Sequence, residues 1–206
     1  MQQSQGIYVV GAGGHGKVVI STLQETGQPI AGVLDDNPGL QGQSLMGIPV
    51  VGPSSLLARH AGTRAILAIG DNTIRRNISS QYPSVEWITL IHPRAYVHPS
   101  VKLGRGTVVI AGAIIHVDSR IGAHVILNTG ATVDHDCRIG DHVHIAPGAH
   151  LAGNVSIGNG AFIGIGVSVI PGVTIGRQAI IGAGASVVRD IPANVTALGV
   201  PARPTP

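Results

Sequence analysis

The chain has 206 residues, 44% of them apolar and only 11% charged, with a formal net charge of +3. That content fills a sizeable core in one large or two small domains, but with one Phe, one Trp and three Tyr the core has to be built from Val, Ile, Leu and Ala. The absence of any Lys/Arg run argues against a nucleic-acid partner. The single Cys137 excludes an intrachain disulfide, and the lack of a signal peptide or of a run of about 18 apolar residues sets the expectation of a cytoplasmic protein with no membrane span.

From residue 7 to 91, short apolar runs alternate with helix-like segments. In chain order these are IYVV (7–10), a helix from about Gly14 to Glu25, AGVLD (31–35), a helix-like SSLLARH (54–60), AILAIG (65–70), a helix after Asp71, and WITLI (87–91). Interleaving of this kind predicts a parallel sheet with crossover helices, an α/β domain. Its first strand-to-helix turn reads Gly11-Ala12-Gly13-Gly14-His15-Gly16, a G-x-G-x-x-G pattern, with Asp35 and Asp36 at the end of the next strand. The segment is long enough for one mononucleotide-binding half and not for two, so a full dehydrogenase fold is set aside. The local physics remains: glycines let backbone N–H groups and a helix N-terminus approach a diphosphate, and the carboxylates are placed to accept from hydroxyl or base N–H groups.

HPRAYVHPS (92–100), with a proline near each end, reads as the boundary between a domain at 1–91 and one at 92–206. Beyond it the chain repeats every six residues: YVHPSV, KLGRGT, VVIAGA, IIHVDS, RIGAHV, ILNTGA, TVDHDC, RIGDHV, HIAPGA, HLAGNV, SIGNGA, FIGIGV, SVIPGV, TIGRQA, IIGAGA, SVVRDI. All sixteen second positions are Val, Ile or Leu, and the fifth is Gly, Asn or Asp in twelve of sixteen, the residue types that tolerate a corner with positive φ. This pattern specifies a β-solenoid with one large inward residue per short strand. Three hexapeptides closing a triangular coil resemble the left-handed parallel β-helix of the hexapeptide-repeat acyltransferases.

Both halves together resemble the sialic acid O-acetyltransferase and bacillosamine-precursor (UDP-4-amino-sugar) N-acetyltransferase family, and are also similar to GDP-perosamine N-acetyltransferases. The resemblance is carried by GAGGHGKVV (11–19), LDDNP (34–38) and ILNTGATVDHDCRIGDHVHIAPGAHLAGNVSIG (126–158), and the closing GVPAR (199–203) supports it. It implies an enzyme of glycan biosynthesis that transfers acetyl from acetyl-CoA to an amino sugar linked to a nucleotide, as a homotrimer. It further implies a nucleotide-sugar site at Gly13, Gly14, His15, Asp35 and Asp36, with Gly70 and Thr73 in AIGDNTIRR also touching the substrate. O-acetylation of a sugar such as sialic acid, and a non-catalytic solenoid that binds nucleotide sugars, are the alternative readings.

Four of the ten histidines fall within TVDHDCRIGDHVHIAPGAH (132–150), and none of them occupies an inward second position. Acetyl transfer to an amine needs a base of near-neutral pKa, and an imidazole oriented by a carboxylate supplies one. By the resemblance His135 is that base and Asp136 its partner, with Asp134 the alternative partner. His144 then contacts the acetyl-CoA thioester region, while Gly153, Ile165 and Ala183 fall at cofactor positions. His135 and His144 lie nine residues apart, half of an eighteen-residue coil, so they project from different sides of one prism. A site using both must be shared between neighbouring subunits. His142, stacked on His124 by the same count, and His150 carry no role; His124 and His142 are expected at the surface. A catalytic zinc of the kind this solenoid carries in carbonic anhydrases would need a His-x4-His pair, which the stretch lacks, so no metal is expected.

Overall fold

The computed structural model describes residues 6–59 and 62–205. The first five residues, His60 at the end of the helix-like SSLLARH, Ala61 and Pro206 lie outside the described residues. Two compact units make up the chain, Met1–Pro93 and Arg94–Pro206.

The first unit contains β1 (Ile7–Val10), α1 (Gly14–Glu25), β2 (Ile30–Leu34), β3 (Ser44–Leu45), β4 (Ile48–Gly52), β5 (Arg64–Leu67), α2 (Asn72–Gln81) and β6 (Glu86–Trp87). Its sheet runs in the order β3-β4-β2-β1-β5-β6, parallel throughout except for the β3–β4 hairpin. Near-continuous apolar runs such as Val9-Val10 and Ala65-Ile66-Leu67 are buried, as a parallel sheet covered on both faces requires. The order reverses at β1, with β2 on one side and β5 on the other, which opens a crevice beyond the C-terminal ends of these strands.

Two local features depart from the sequence expectation. SSLLA forms a 3-10 turn, Ser54–Ala58, instead of an α-helix. The β3–β4 hairpin was not foreseen because its strands are short and its turn is Met46-Gly47, with φ 51° and 79°; two positive φ values mark the two-residue turn that matches strand twist, and Met is an uncommon residue for it.

In the second unit, strands pair in register at steps of eighteen residues. Val108, Ile126, His144, Phe162 and Ile180 stack on one face; Ile114, Thr132, His150, Ser168 and Ser186 stack on the second; Lys102, Arg120, Arg138, Ser156 and Thr174 stack on the third. The result is the left-handed parallel β-helix that the hexapeptides imply. Second-position residues from Val109 to Val187 are buried along its axis, each contributing about 1.5–3 kcal/mol. Every fifth position from Gly106 to Gly184 has positive φ, including His124, His142 and Gln178.

At that corner His124 departs from the expectation of a surface residue, while His142 is half-buried. His124 is only 3% exposed, and its ring stacks on that of His142 with centroids 5.1 Å apart and planes 1° from parallel. The side chains leave consecutive coils from the same corner position, so each ring covers its neighbour; below His124, Gly106 has no side chain to compete for the space.

Candidate active site

In the first unit the crevice is a cavity of about 380 Å³ lined by Gly13, Gly14, His15, Asp35, Asp36 and Gly70, with Ser54 and the apolar Leu34, Ile69, Ile74 and Ile78. Thr73 does not line it; the neighbouring Ile74 does. The glycines divide by role. A Cβ on Gly11 would meet Ala68 O at 2.9 Å and one on Gly16 would strike the Gly11 carbonyl, whereas above Gly13 and Gly14 nothing lies within 4 Å. The outer pair of the motif thus serves packing, and the inner pair leaves open space at the start of α1. Helix α1 begins with Gly13 as its cap, which supplies no side-chain cap, and has no acid in its first turn, so the positive end of its dipole lies at the glycines that line the cavity.

Both carboxylates in the wall are anchored. Asp35 accepts from the N–H of Ala12 at 2.7 Å and of Asn37 at 2.9 Å. Asp36 accepts from the N–H and the hydroxyl of Ser54 at 2.7 and 3.0 Å. Ser54 was not singled out from sequence; the signal is only its place after Pro53 in a turn. His15 is held to a pKa of about 4 by burial and then by the charge of Arg75, so its imidazole is neutral at pH 7.

In the second unit His135 occupies the corner after Asp134. Its Nδ1 donates to Asp136 Oδ2 at 2.8 Å, and its backbone N–H donates to Asp134 Oδ1 at 2.8 Å. The two aspartates are therefore distinct: Asp136, whose φ is 58°, turns back onto the imidazole, while Asp134 fixes the main chain. The Asp136 hydrogen bond raises the His135 pKa above its ordinary value of 6.5, desolvation opposes it, and the Asp134 and Asp136 charges add to the rise. With Nδ1 engaged by Asp136, Nε2 is the ring nitrogen left for other partners, on a half-exposed ring. The ring lies over Gly153, one coil below, where a Cβ would meet its Cε1 and Nε2 at 2.5 Å.

His144 lies on a face and not on that corner, and it is buried, 8% exposed, instead of projecting freely from its first position. Phe162 packs edge-on at 5.2 Å, and Asn128 Nδ2 lies 3.2 Å from its Nε2. Asn128 Oδ1 already accepts from Thr129 N at 2.8 Å, so its amide donates to Nε2 and the His144 proton sits on Nδ1. Asn128 is a further site residue that the hexapeptide pattern did not flag, since third positions carry no repeat signal. Ile165, 60% exposed, and the exposed Ala183 stack at another corner. Within one chain, then, His135, Asp136 and Gly153 come together, and His144, Ile165 and Ala183 stand apart from them. Among the described residues no group of three His, Cys, Asp or Glu side chains is placed to hold a metal ion.

Residues 6–82 match the PglD N-terminal domain, and 118–153 and 154–189 match the bacterial transferase hexapeptide family of six repeats. A perosamine N-acetyltransferase from Caulobacter crescentus, solved in complex with CoA and GDP-perosamine, is 45% identical with a TM-score of 0.94, covering 99% of this chain and 98% of that one. The chain belongs to the hexapeptide-repeat sugar N-acetyltransferase family. The acetyltransferase domain of PglB from Neisseria gonorrhoeae, solved with acetyl coenzyme A, is 40% identical with a TM-score of 0.92, covering 98% of this chain and 100% of that one. UDP-N-acetylbacillosamine N-acetyltransferase of Bacillus subtilis is 42% identical over 110 residues, 51% of each chain. An uncharacterized protein of Acanthamoeba polyphaga mimivirus is 39% identical over 103 residues, 50% of this chain and 21% of its own length. The matches thus span from a fifth to a half of these curated relatives.

Proposed function

We propose that the protein transfers acetyl from acetyl-CoA to the amino group of a nucleotide-linked 4-amino sugar, with His135 as general base. The observation that carries this reading is the His135–Asp136 pair at 2.8 Å, seated over a glycine on a half-exposed corner, in a chain whose solved relatives are N-acetyltransferases bound to CoA and GDP-perosamine or to acetyl coenzyme A. Those names favour an amine over a sugar hydroxyl as acceptor. The new bond joins the sugar nitrogen to the acetyl carbon as the thioester C–S bond breaks. His135 Nε2 takes the proton from the attacking amine, and Asp136 holds the ring in the tautomer that leaves Nε2 free. The nucleotide occupies the cavity at Gly13, Gly14, His15, Asp35, Asp36 and Gly70. Acetyl-CoA lies along Gly153, Ile165 and Ala183, with His144 at its acetyl end, and its use sets the reaction in the cytoplasm.

His135 and His144 leave different sides of one prism, so the reading requires each site to be shared between neighbouring subunits, and the resemblance supports a homotrimer as that assembly. Mixing His135→Ala and His144→Ala chains tests this: each variant alone is inactive, and reassembled mixtures regain activity at about a quarter of the sites. Failure of any mixture to regain turnover removes the shared site.

A further inference from the structure

Arg75 stands out among the buried side chains. It projects from the first turn of α2 and is 1% exposed, the largest side chain by volume among those fully buried. Its Nη1 donates to the carbonyls of Ile69 and Gly70 at 3.0 and 3.3 Å, and its Nη2 donates to Asn72 Oδ1 at 2.7 Å. Ile69 and Gly70 line the cavity beyond β5. The guanidinium thus grips the back of the loop whose front is the cavity wall, and it lies near enough to His15 for its charge to act on that ring.

The charge inventory of the cavity gives this arrangement a purpose. The lining contains two carboxylates, Asp35 and Asp36, and no Lys or Arg. A diphosphate entering such a cavity meets like charge in the wall, and a free carbonyl oxygen aimed at it adds to the repulsion. The opposing positive field comes from the start of α1 and from a cation behind the wall. Burial lowers the Arg75 pKa to about 10, with Asp71 acting the other way, which leaves it protonated at neutral pH. Asp71 is itself committed to capping α2 through Ile74 N at 2.8 Å.

Resting on the nucleotide-site reading above, we infer that Arg75 is a positioning residue for the substrate's diphosphate: it turns the Ile69 and Gly70 carbonyls into its own fork, away from the ligand, and supplies positive charge beneath a cavity whose wall has none. It touches neither the sugar nor the reacting atoms. The inference separates the diphosphate from the nucleoside, because only the charged part of the ligand depends on the buried cation.

The test compares Arg75→Met and Arg75→Lys with the wild-type full chain. Dissociation constants for UDP, GDP and dTDP and for the matching uncharged nucleosides are measured by calorimetry, with KM and kcat on the acetylated substrate and a thermal melt to confirm folding. In Arg75→Met, binding of the preferred nucleoside diphosphate is expected to weaken roughly tenfold or more, nucleoside binding to stay within about twofold, and KM to rise while kcat holds. Arg75→Lys, which keeps the charge, is expected to recover most of the lost diphosphate affinity. Equal weakening of nucleoside and diphosphate, or no recovery in Arg75→Lys when it melts like wild type, overturns the inference. Wild-type protein that binds none of the diphosphates overturns the nucleotide-site reading instead. If Arg75→Met does not fold, the Arg75→Lys comparison decides alone: diphosphate affinity close to wild type supports the role, and a roughly tenfold or greater loss in a variant that melts like wild type counts against it.

Discussion

Gly153→Ala isolates the geometry of the base from its chemistry. A Cβ at 153 would stand 2.5 Å from Cε1 and Nε2 of His135, whereas unstrained contacts of this kind lie at about 3.5 Å. The imidazole must therefore retreat by about 1 Å, and because the ring is half exposed it can do so without disturbing the core. Gly153 does not have positive φ, so alanine fits the backbone, and the loss of unfolded-state freedom contributes about 0.4–1 kcal/mol of stability. The expected outcome is a protein as stable as wild type to within about 1 kcal/mol in urea, with kcat lower by about a hundredfold because a base displaced by about 1 Å misses the attacking amine. CoA release measured with a thiol reagent reads the rate. Full activity in Gly153→Ala refutes the placement of the base, and so does a loss of activity that follows loss of fold.

Other outcomes follow from the same contacts. Asp136→Asn removes the acceptor that chiefly raises the His135 pKa. Since the base acts when neutral, the acid limb of kcat/KM, expected above pH 6.5, should move to lower pH while the plateau falls; an unmoved limb counts against the pairing. His15 is depressed to about 4, below its unfolded value of about 6.5, so its contribution of up to about 3 kcal/mol is present above pH 6.5 and is lost as pH falls through 4. His15→Gln should flatten the stability profile across that window. Ser54→Ala removes the hydroxyl bond to Asp36 Oδ2 and leaves the backbone N–H bond to Oδ1, and should raise the nucleotide-sugar KM several-fold with kcat unchanged. Ile145→Ala, at a fully buried second position, should cost about 2–5 kcal/mol.

The solenoid was legible because its constraint is periodic: each short strand imposes the same demand for one large inward side chain, so the second-position residues declare the fold. Corner residues were less legible. Positive φ at His124 and His142 is set by register and not by propensity, and although the eighteen-residue count places one above the other, it does not display the parallel ring packing that accompanies the burial of His124. The same long-range stacking explains why Gly153, assigned from resemblance to a cofactor position, also proves to lie beneath His135. In the first unit the glycine motif marked the cavity, but Ser54 lies in no motif and Arg75, within AIGDNTIRR, was passed over because its burial against the Ile69 and Gly70 carbonyls comes from the fold of α2 against the strand end. Thr73, assigned to the substrate from resemblance, is not among the residues lining the cavity, whereas the following Ile74 is.

The account stands most directly on His135. Acetyl-CoA is supplied to wild type and His135→Ala with UDP-, GDP- and dTDP-linked 4-amino sugars, and both CoA release and the acetylated product are measured. Wild type should acetylate at least one of them, and the variant should lose about 10²–10⁴ in kcat with little change in KM and unchanged CoA binding. Turnover that survives His135→Ala, or a wild type that releases CoA with none of the panel, contradicts the account.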